Sequence, residues 1–365
     1  MVTNTVFLLE PAVVFWAPDN LTGIMRTGRA KLSIGLPVYN GQNYVAEAIE
    51  SLLAQTCGDF ELLISDNAST DGTESICRAY AERDSRIRYS RHECNRGACW
   101  NFKHVFALAQ GEYFKWAAHD DLCAPTFAER CLEVLQCNPD VLWCFSRFSH
   151  IDPWGRTLPD PGTCDLSYVD EPRNGSPRPT PWTRASALAW QRFTGVLLGG
   201  TSSLDNYALV RTAVMRKTGL LQPYYGSDKV FVAELCLHGR YAEVPETLFF
   251  VRVHPDGSGA LPTEAQQAAF INPLSTRHYR LTRFLLLRAY FEIIRRAELP
   301  AGQRARCLRA LFWYLFQVRK WRWVLLSMLR GTGVGGGYLE TLHRMQEGHP
   351  IPPDSTAKTR TPSKV

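Results

Sequence analysis

Two adjacent carboxylates, Asp120 and Asp121, are the strongest candidates in this sequence for a functional site. They follow the predicted strand from Tyr113 to Ala118, and no lysine or arginine stands directly beside them. Adjacent carboxylates repel each other, so a fold that holds both at the end of a strand often supplies a cation. Their oxygen atoms suit Mg²⁺ or Mn²⁺, which keep open positions for a diphosphate. The alternative is a solvated acidic turn before the helix that Pro125 introduces.

Other side chains could act beside this pair. Asp66 ends another apolar run, and it either forms a turn or accepts the N3 hydrogen of a uracil or thymine ring packed on Tyr39. Asp228 follows a Gly-Ser pair, so it is either a helix N-cap or a general base that takes a proton from a hydroxyl. His254 could bind a metal and Arg96 a phosphate, or both could be structural. Spacing alone leaves these alternatives open.

The element that would position Tyr39 and Asp66 runs from Lys31 to Asp71. Its first apolar residues alternate and stop at Pro37, which predicts a strand. The next apolar residues recur at helical spacing, and a continuous apolar run then ends at Asp66. This order predicts a βαβ unit. Ligands of such sheets bind beyond the carboxyl ends of the strands, so we expect Tyr39 and Asp66 to line one crevice.

The alternation of strands and helices continues to a predicted strand at Val141 to Phe145. It predicts an α/β fold with a mainly parallel sheet and helices on both faces. Residues 152–183 are rich in Pro, Gly, Asp and Ser, which is typical of a functional lid or a disordered loop. No GxxxxGK[ST], GxGxxG or HExxH motif occurs, so P-loop, dinucleotide-binding and zincin chemistry have no support.

The composition restricts the class of protein further. A chain of 365 residues that is 45% apolar has ample material for a buried core. Eleven cysteines without a CxxC pair suit a reducing compartment, so we expect a cytoplasmic protein. No basic residue precedes the apolar residues 6–16, which argues against a signal peptide, and no stretch reaches the ~20 apolar residues of a spanning helix.

The C-terminal part differs in kind. Between Ser275 and Arg330 the sequence has thirteen Lys or Arg and two Asp or Glu, whereas the net charge of the whole chain is +6. Its predicted helices mix Leu, Phe, Trp and Tyr with arginine, a pattern typical of attachment to an anionic membrane surface. Packing of these helices back on the rest of the chain is the alternative. We expect a helical region over 275–345, a disordered tail over 349–365, and an extension outside the core over 1–30.

Five segments, in this order, resemble motifs of the family 2 glycosyltransferases with the GT-A fold. They are SIGLPVYNGQNYVAEAIESLLAQT, ELLISDNASTDGT, the NRG turn at Asn95, HDDL at His119, and GSDKVFVAELCLHGRYAEVPETLFFVRVH. The resemblance implies a Rossmann-like GT-A catalytic domain over 31–260. Its nucleotide-binding half would be 31–125 and its acceptor half 126–260.

The resemblance also implies roles for single residues. The nucleotide would bind around Pro37, Tyr39, Asp66, Arg96 and Asp120, with Asp66 on the ring N3 and Asp120 near the ribose. Asp121 would bind Mn²⁺ or Mg²⁺, with His254 as a further ligand, and Asp228 would be the base of an inverting enzyme. This sequence has His119 where the family's DxD motif begins, and Ser227 where the family often has Glu before the base.

The activity implied by the resemblance is transfer of a sugar, with inversion, from a nucleotide sugar to a hydroxyl of a carbohydrate or lipid-linked acceptor. A UDP-sugar is favoured, thymine and guanine nucleotides stay open, and no nucleic acid is expected as a partner. The pathway would be synthesis of cell-surface polysaccharide or glycolipid, at the inner face of the plasma membrane. The alternative is a non-catalytic peripheral membrane protein on a degenerate nucleotide-sugar-binding scaffold. Four intact aspartates argue against that alternative.

Overall fold

The computed structural model of this protein describes residues 30–158, 184–199, 203–258, 261, 264–273 and 282–316. The expected extension over 1–30, except Ala30, most of the 152–183 loop, and everything beyond 316 lie outside the described residues. The described part contains one sheet of eight strands, flanked by helices. In chain order the elements are β1 (Leu32–Val38), α1 (Val45–Leu53), β2 (Phe60–Asp66), α2 (Thr73–Arg83), β3 (Ile87–Arg91), α3 (Ala98–Ala107), β4 (Tyr113–Trp116), β5 (Leu122–Cys123), α4 (Phe127–Cys137), β6 (Val141–Ile151), α5 (Ala189–Thr194), β7 (Leu209–Arg211), α6 (Thr212–Met215), α7 (Ser227–His238), β8 (Arg240–Arg252), α8 (Glu264–Ile271), α9 (Thr282–Arg296) and α10 (Ala301–Leu315).

The strand order is β3-β2-β1-β4-β7-β6-β8-β5. β3, β2, β1 and β4 pair in parallel, as do β6 and β8, whereas β7 is antiparallel to β4 and to β6, and β5 is antiparallel to β8. Six strands therefore point in one direction, and the predicted α/β fold with a mainly parallel sheet is confirmed. The carboxyl ends of β1, β2, β4 and β8 lie along one edge, which brings together residues far apart in the sequence.

The predicted βαβ unit forms the centre of the sheet. All seven residues of β1 and all seven of β2 are buried, as expected for strands covered on both faces. α1 packs with Val45, Ala48, Ile49 and Leu52, the residues whose spacing predicted it. At Gly35 of β1 an added Cβ would lie 2.8 Å from the ring of Phe114, so the neighbouring strand leaves no room for a side chain there.

Two of the predicted elements differ in extent from the structure, and β5 and α8 were not predicted. The last strand, expected at 249–253, begins at Arg240, and it pairs with β6 over most of its length with irregular register. The helix expected over 186–198 is a six-residue α-helix that continues as a π-helix over 195–199. The greater length of β8 arises from tertiary packing, because it is stabilised by a partner strand that is remote in the sequence.

The C-terminal helices α9 and α10 pack on the domain. α9 lies against α7, and α10 lies against α9 and α5. Their inner residues are buried, which supports the second of the two alternatives for this region: Leu286, Tyr290, Ile293, Ile294, Cys307, Ala310, Leu311 and Tyr314. Among the helices that the structure describes, none combines the length and the apolar character needed to cross a bilayer.

Candidate active site

The loop after β1 is fixed to the loop after β2. Val38 stands opposite Asp66 in the parallel register, so Tyr39 begins at the level where β2 ends. The amide of Asn40 donates to the Ser69 hydroxyl at 2.9 Å, and the Asn40 side-chain oxygen accepts the amide of Thr70 at 2.8 Å. Tyr39 itself is 39% exposed. Its ring is therefore held on an ordered loop and is open to a ligand.

The same loop contacts the acidic turn after β4. A Cβ added to Gly41 would lie 2.6 Å from the ring of His119, so only glycine allows this approach. His119 directly precedes Asp120 and Asp121. The loop that carries Tyr39 thus lies between the end of β2 and the acidic pair, as the strand order β2-β1-β4 requires.

Asp66 is fully buried at the end of β2. One carboxylate oxygen accepts the amide of Ser69 at 2.8 Å, and the other accepts the hydroxyl of Tyr89 at 2.7 Å. Arg91 adds a positive charge, with its Nε 3.7 Å from the second oxygen. An ionised carboxylate has further lone pairs, but because Asp66 is fully buried, another donor would reach them only by displacing one of these protein groups.

Arg96 and Pro37 lie at the same edge of the sheet as Asp66. The amide of Arg96 donates to the side chain of Asn67, the residue after Asp66, at 3.0 Å. Its exposed guanidinium lies 4.7 Å from the ring of Trp100. Pro37 is buried within β1, opposite Ser65. The structure therefore brings the predicted nucleotide residues of this half together, with Tyr39 and Arg96 as the exposed members.

Asp120 and Asp121 point to different partners. One oxygen of Asp120 lies 3.0 Å from Nε2 of His254, and the Asp120 side chain is 19% exposed. Asp121 is nearly buried, and one of its oxygens accepts the backbone amide of Arg252 at 3.0 Å. The structure thus joins the predicted residues Asp120, Asp121 and His254 in one cluster, in which Asp120 is the more open carboxylate.

Burial and mutual repulsion separate the acidities of the two carboxyl groups. Burial and the charge of Asp120 raise the pKa of Asp121 well above its usual value, against the opposing charges of Lys115 and Arg252. Burial would also raise the pKa of Asp120, but the neighbouring His119 and His254 outweigh it and lower that pKa. Asp120 is therefore the carboxylate that carries the negative charge of the pair.

Arg252 organises this cluster, and the sequence analysis assigned it no role. Its guanidinium donates to the carbonyl oxygens of Asp120 at 2.9 Å and Pro153 at 2.8 Å, and to the carboxylate of Glu47 at 2.6 Å. The side chain has no exposed surface and lies 4.7 Å from the ring of Tyr44. An arginine within the apolar run FFVRVH was the available signal, because a charge on a buried strand needs partners.

His254 is packed between Asp120 and the ring of Tyr44, 4.6 Å away. Only 2% of its surface is exposed, and its Nδ1 meets no hydrogen-bond partner in the described part of the chain. No pattern in the sequence pointed to Tyr44 as its neighbour. A buried imidazole with an unsatisfied nitrogen beside a carboxylate is consistent with a ligand for a group that the chain does not itself provide.

Asp228 is the second residue of α7, after Gly226 in a left-handed conformation (φ 83°). Burial raises the pKa of its carboxyl group, with Lys229 opposing the shift. The link to the acidic pair is Tyr207, which the sequence analysis did not single out. Burial, followed by the charges of Asp121, Asp120 and Asp228, raises the pKa of the Tyr207 hydroxyl, so that side chain lies in the field of all three carboxylates.

The cluster fits a divalent cation only in part. Within the ranges that the structure describes, no three His, Cys, Asp or Glu side chains are arranged to hold a metal by themselves. Asp120 and His254 nevertheless offer an oxygen and a nitrogen ligand side by side. Mg²⁺ and Mn²⁺ at nucleotide sites commonly use one or two protein ligands together with phosphate oxygens and water, so this donor set is compatible with a cation that arrives with a diphosphate.

Known glycosyltransferases are similar to this chain in sequence. The sequence model of glycosyl transferase family 2 matches residues 33–193. An uncharacterized glycosyltransferase of Rickettsia typhi is 36% identical over 113 residues, which are 30% of this chain and 34% of that protein. The uncharacterized glycosyltransferase YibD of Escherichia coli is 28% identical over 273 residues, 72% of each chain. The chain thus spans about a third of the length of the Rickettsia relative.

Two solved structures have a similar but distant fold. The mannosyltransferase PcManGT of Pyrobaculum calidifontis, in complex with GDP-Man and Mn²⁺, has a TM-score of 0.49 at 16% identity, over 88% of this chain and 81% of its own. Staphylococcus aureus TarS 1–349, in complex with UDP, has a TM-score of 0.46 at 16% identity, over 80% of this chain and 91% of its own. Both TM-scores are below 0.5, so these likenesses add no argument about chemistry.

Proposed function

We propose that this chain transfers a sugar from a nucleotide sugar to a hydroxyl acceptor with inversion of the anomeric centre. The premise is that it belongs to glycosyl transferase family 2 through residues 33–193. One observation carries the proposal. Asp120 after β4 lies beside His254 after β8, next to the loop that carries Tyr39, and the charges of Asp120, Asp121 and Asp228 all act on the hydroxyl of Tyr207.

The nucleotide would bind at the ends of β1 and β2. Tyr39 is exposed for stacking on a base, whereas Asp66 is fully buried, so an N–H donor of the base would have to displace Ser69 or Tyr89 to reach its lone pairs. Arg96 is exposed near the same edge and offers charge to a phosphate. A ring N3–H, as in uracil, suits a carboxylate acceptor, so a UDP-sugar is our preferred donor.

Mn²⁺ or Mg²⁺ would be held by Asp120 and His254, with Asp121 behind them fixed by the amide of Arg252. This differs from the roles expected from the motif, in which Asp121 holds the metal and Asp120 the ribose. The reason for the change is exposure, since Asp120 is the more open carboxylate. Such a cation supplies Lewis-acid stabilisation to a leaving nucleoside diphosphate.

Asp228 would act as the general base. Burial raises its pKa, which makes the carboxylate a better proton acceptor than an exposed aspartate. Asp228 takes the proton of the acceptor hydroxyl while that oxygen forms a bond to the anomeric carbon. The bond from the anomeric carbon to the diphosphate oxygen breaks in the same displacement, and its electron pair leaves with the nucleoside diphosphate. One displacement inverts the anomeric centre.

The acceptor side is less defined. The proposed acceptor is a carbohydrate or a lipid-linked sugar, and the proposed setting is cell-surface polysaccharide or glycolipid synthesis on the cytoplasmic side of the membrane. The support is the exposed apolar and basic surface of α9 and α10, next to α7.

A thermal-shift screen of nucleoside diphosphates with and without Mn²⁺ tests the proposal. We expect UDP to raise the melting temperature, more with Mn²⁺ than without; a ligand at 100 times its Kd adds ~2.7 kcal/mol of stability. Asp120→Asn should remove the Mn²⁺-dependent part of the shift, whereas Asp59→Asn, an exposed carboxylate at the start of β2, should not. Absence of a shift with every nucleoside diphosphate would contradict the proposed function.

A further inference from the structure

The inner face of α9 covers the end of α7 that carries Asp228. Leu286 of α9 would lie 3.3 Å from a Cβ added to Gly226, the residue directly before α7. Tyr290, one turn further along α9, is buried, and its pKa is raised by burial and by nearby charges that include Asp228. α9 is therefore a wall of the proposed catalytic centre.

The opposite side of the same helix pair is exposed and apolar. We define the outer face as Phe291 of α9 together with Leu308, Phe312, Trp313 and Phe316 on and directly after α10. These side chains are 46%, 38%, 55%, 58% and 58% exposed. The rings of Phe312 and Phe316 are 4.8 Å apart, and Trp313 lies 6.3 Å from each of them. Exposed aromatic clusters of this kind mark interaction surfaces.

The charge of the two helices is strongly positive. α9 and α10 contain seven arginines and one glutamate. Five of these arginines are exposed: Arg288, Arg295, Arg296, Arg306 and Arg309. Arg295 pairs with Glu292 and Arg296 with Glu234. The occupant of the outer face must therefore accept both apolar rings and a surrounding layer of guanidinium groups.

This charge argues against two possible occupants from the chain itself. A second copy would bring a second arginine-rich face against the first, and like charges at an interface oppose association. Residues 317–330, which follow the outer face in the sequence, contain three arginines, one lysine and no acidic residue, so they would add to the same repulsion. An anionic bilayer supplies both negative headgroups and an apolar phase for the rings, whereas nucleic acid supplies no such phase for Leu308 or Phe312.

We propose that the outer face binds the surface of an anionic lipid bilayer, with the five apolar side chains at the level of the acyl chains and the arginines among the headgroups. α9 contacts both α7 and α10, so this surface lies within about two helix diameters, each ~10 Å, of the end of α7 that carries Asp228. This arrangement, taken with the proposed function on which it depends, favours an acceptor that is anchored in the same bilayer and presented to Asp228.

Vesicle flotation of the full chain tests the docking surface. We expect the protein to float with vesicles that contain phosphatidylglycerol and to remain at the bottom with pure phosphatidylcholine. Phe312→Ser combined with Trp313→Ser and Phe316→Ser should weaken binding ~100-fold, since partial burial of each of the three rings contributes on the order of 1 kcal/mol. Arg306→Gln with Arg309→Gln should weaken it ~25-fold, at about 1 kcal/mol per arginine, and should reduce its sensitivity to salt.

The matched control is Trp154→Ser. Trp154 is 77% exposed and also has an arginine, Arg156, over its ring at 5.1 Å, but it lies after β6 rather than on the outer face. Its flotation should equal that of the wild type. Thermal melts in the presence of UDP and Mn²⁺ show that each variant is folded, and they separate a failure of docking from a failure of nucleotide binding.

Three results would overturn the inference. The first is wild-type protein that stays at the bottom with anionic vesicles. The second is a triple aromatic variant that floats as well as the wild type, which would move the membrane contact to another surface. The third is a dimer, detected by light scattering, that the triple aromatic variant abolishes, which would make the outer face an interface between copies.

Discussion

Two acidic regions at the same edge of the sheet differ in how far away in the sequence their stabilising partners lie. Asp66, at the end of β2, is bound by Ser69 and Tyr89, which lie 3 and 23 residues away in the sequence. Asp120 and Asp121 are held by Arg252 and His254, which lie 131 to 134 residues away. The proposed base-recognition region is thus held by contacts close in the sequence, whereas the proposed reaction centre depends on the packing of β8 and the residues after it. We therefore expect a substitution in one region to leave the function of the other region intact.

The largest expected effect is on the reaction centre alone. Asp228→Asn should lower kcat by ~10² to 10⁴-fold, because the amide cannot take the proton of the acceptor hydroxyl. The UDP-induced thermal shift should be unchanged, since the variant leaves the ends of β1 and β2 intact. Asp59→Asn serves as the control for turnover. Wild-type kcat in the Asp228 variant would show that another group is the base.

The pKa shift of Asp228 gives this variant a second readout. The folded-state pKa is raised above the usual 3.8, so the folded protein binds this proton more tightly than the unfolded chain does. The resulting stability is present at low pH and is lost as the pH rises through the raised pKa. Asp228→Asn should therefore be at least as stable as the wild type at neutral pH. The acid limb of kcat, which lies above pH 3.8, should be absent from its residual activity.

A smaller effect on catalysis is expected from weakening the contacts between Arg252 and the turn that carries the acidic pair. Arg252→Lys keeps the charge but cannot reach Asp120, Pro153 and Glu47 together, so we expect a ~10 to 100-fold fall in kcat/KM and a higher requirement for Mn²⁺. Glu47→Gln is the control, because the amide oxygen still accepts a hydrogen bond from Arg252 while the contacts of Arg252 with Asp120 and Pro153 stay intact. Unchanged Mn²⁺ dependence in Arg252→Lys would separate Arg252 from the acidic pair.

The smallest effect is expected in the local region, and on stability rather than turnover. Tyr89→Phe removes the hydroxyl that Asp66 accepts, which should lower the free energy of unfolding by about 1–2 kcal/mol and leave kcat almost unchanged. Tyr80→Phe, whose hydroxyl bonds to Glu50 at the surface, should be close to neutral in urea denaturation. If the two variants had the same free energy of unfolding, the buried hydrogen bond to Asp66 would contribute no more to stability than the surface one.

The sequence predicted the local half of the molecule well for a physical reason. β1, α1 and β2 are specified by apolar spacing within each element, and the structure contains all three close to the expected limits. The end of β8 was predicted within one residue, but its start was predicted nine residues too late, because Arg240 to Leu248 has no buried run of its own. Its pairing with β6 provides the missing stabilisation.

The sequence alone determined the order of strands and helices, the acidic pair at the end of β4, and the concentration of arginine and aromatic residues in the C-terminal helices. Only the tertiary structure decided which residues meet: Arg252 on Asp121, Tyr44 on His254, Tyr207 among three carboxylates, and α9 on the start of α7. Periodicity records which face of an element is buried. It does not record the partner, which is selected by strand order and packing across more than a hundred residues of chain.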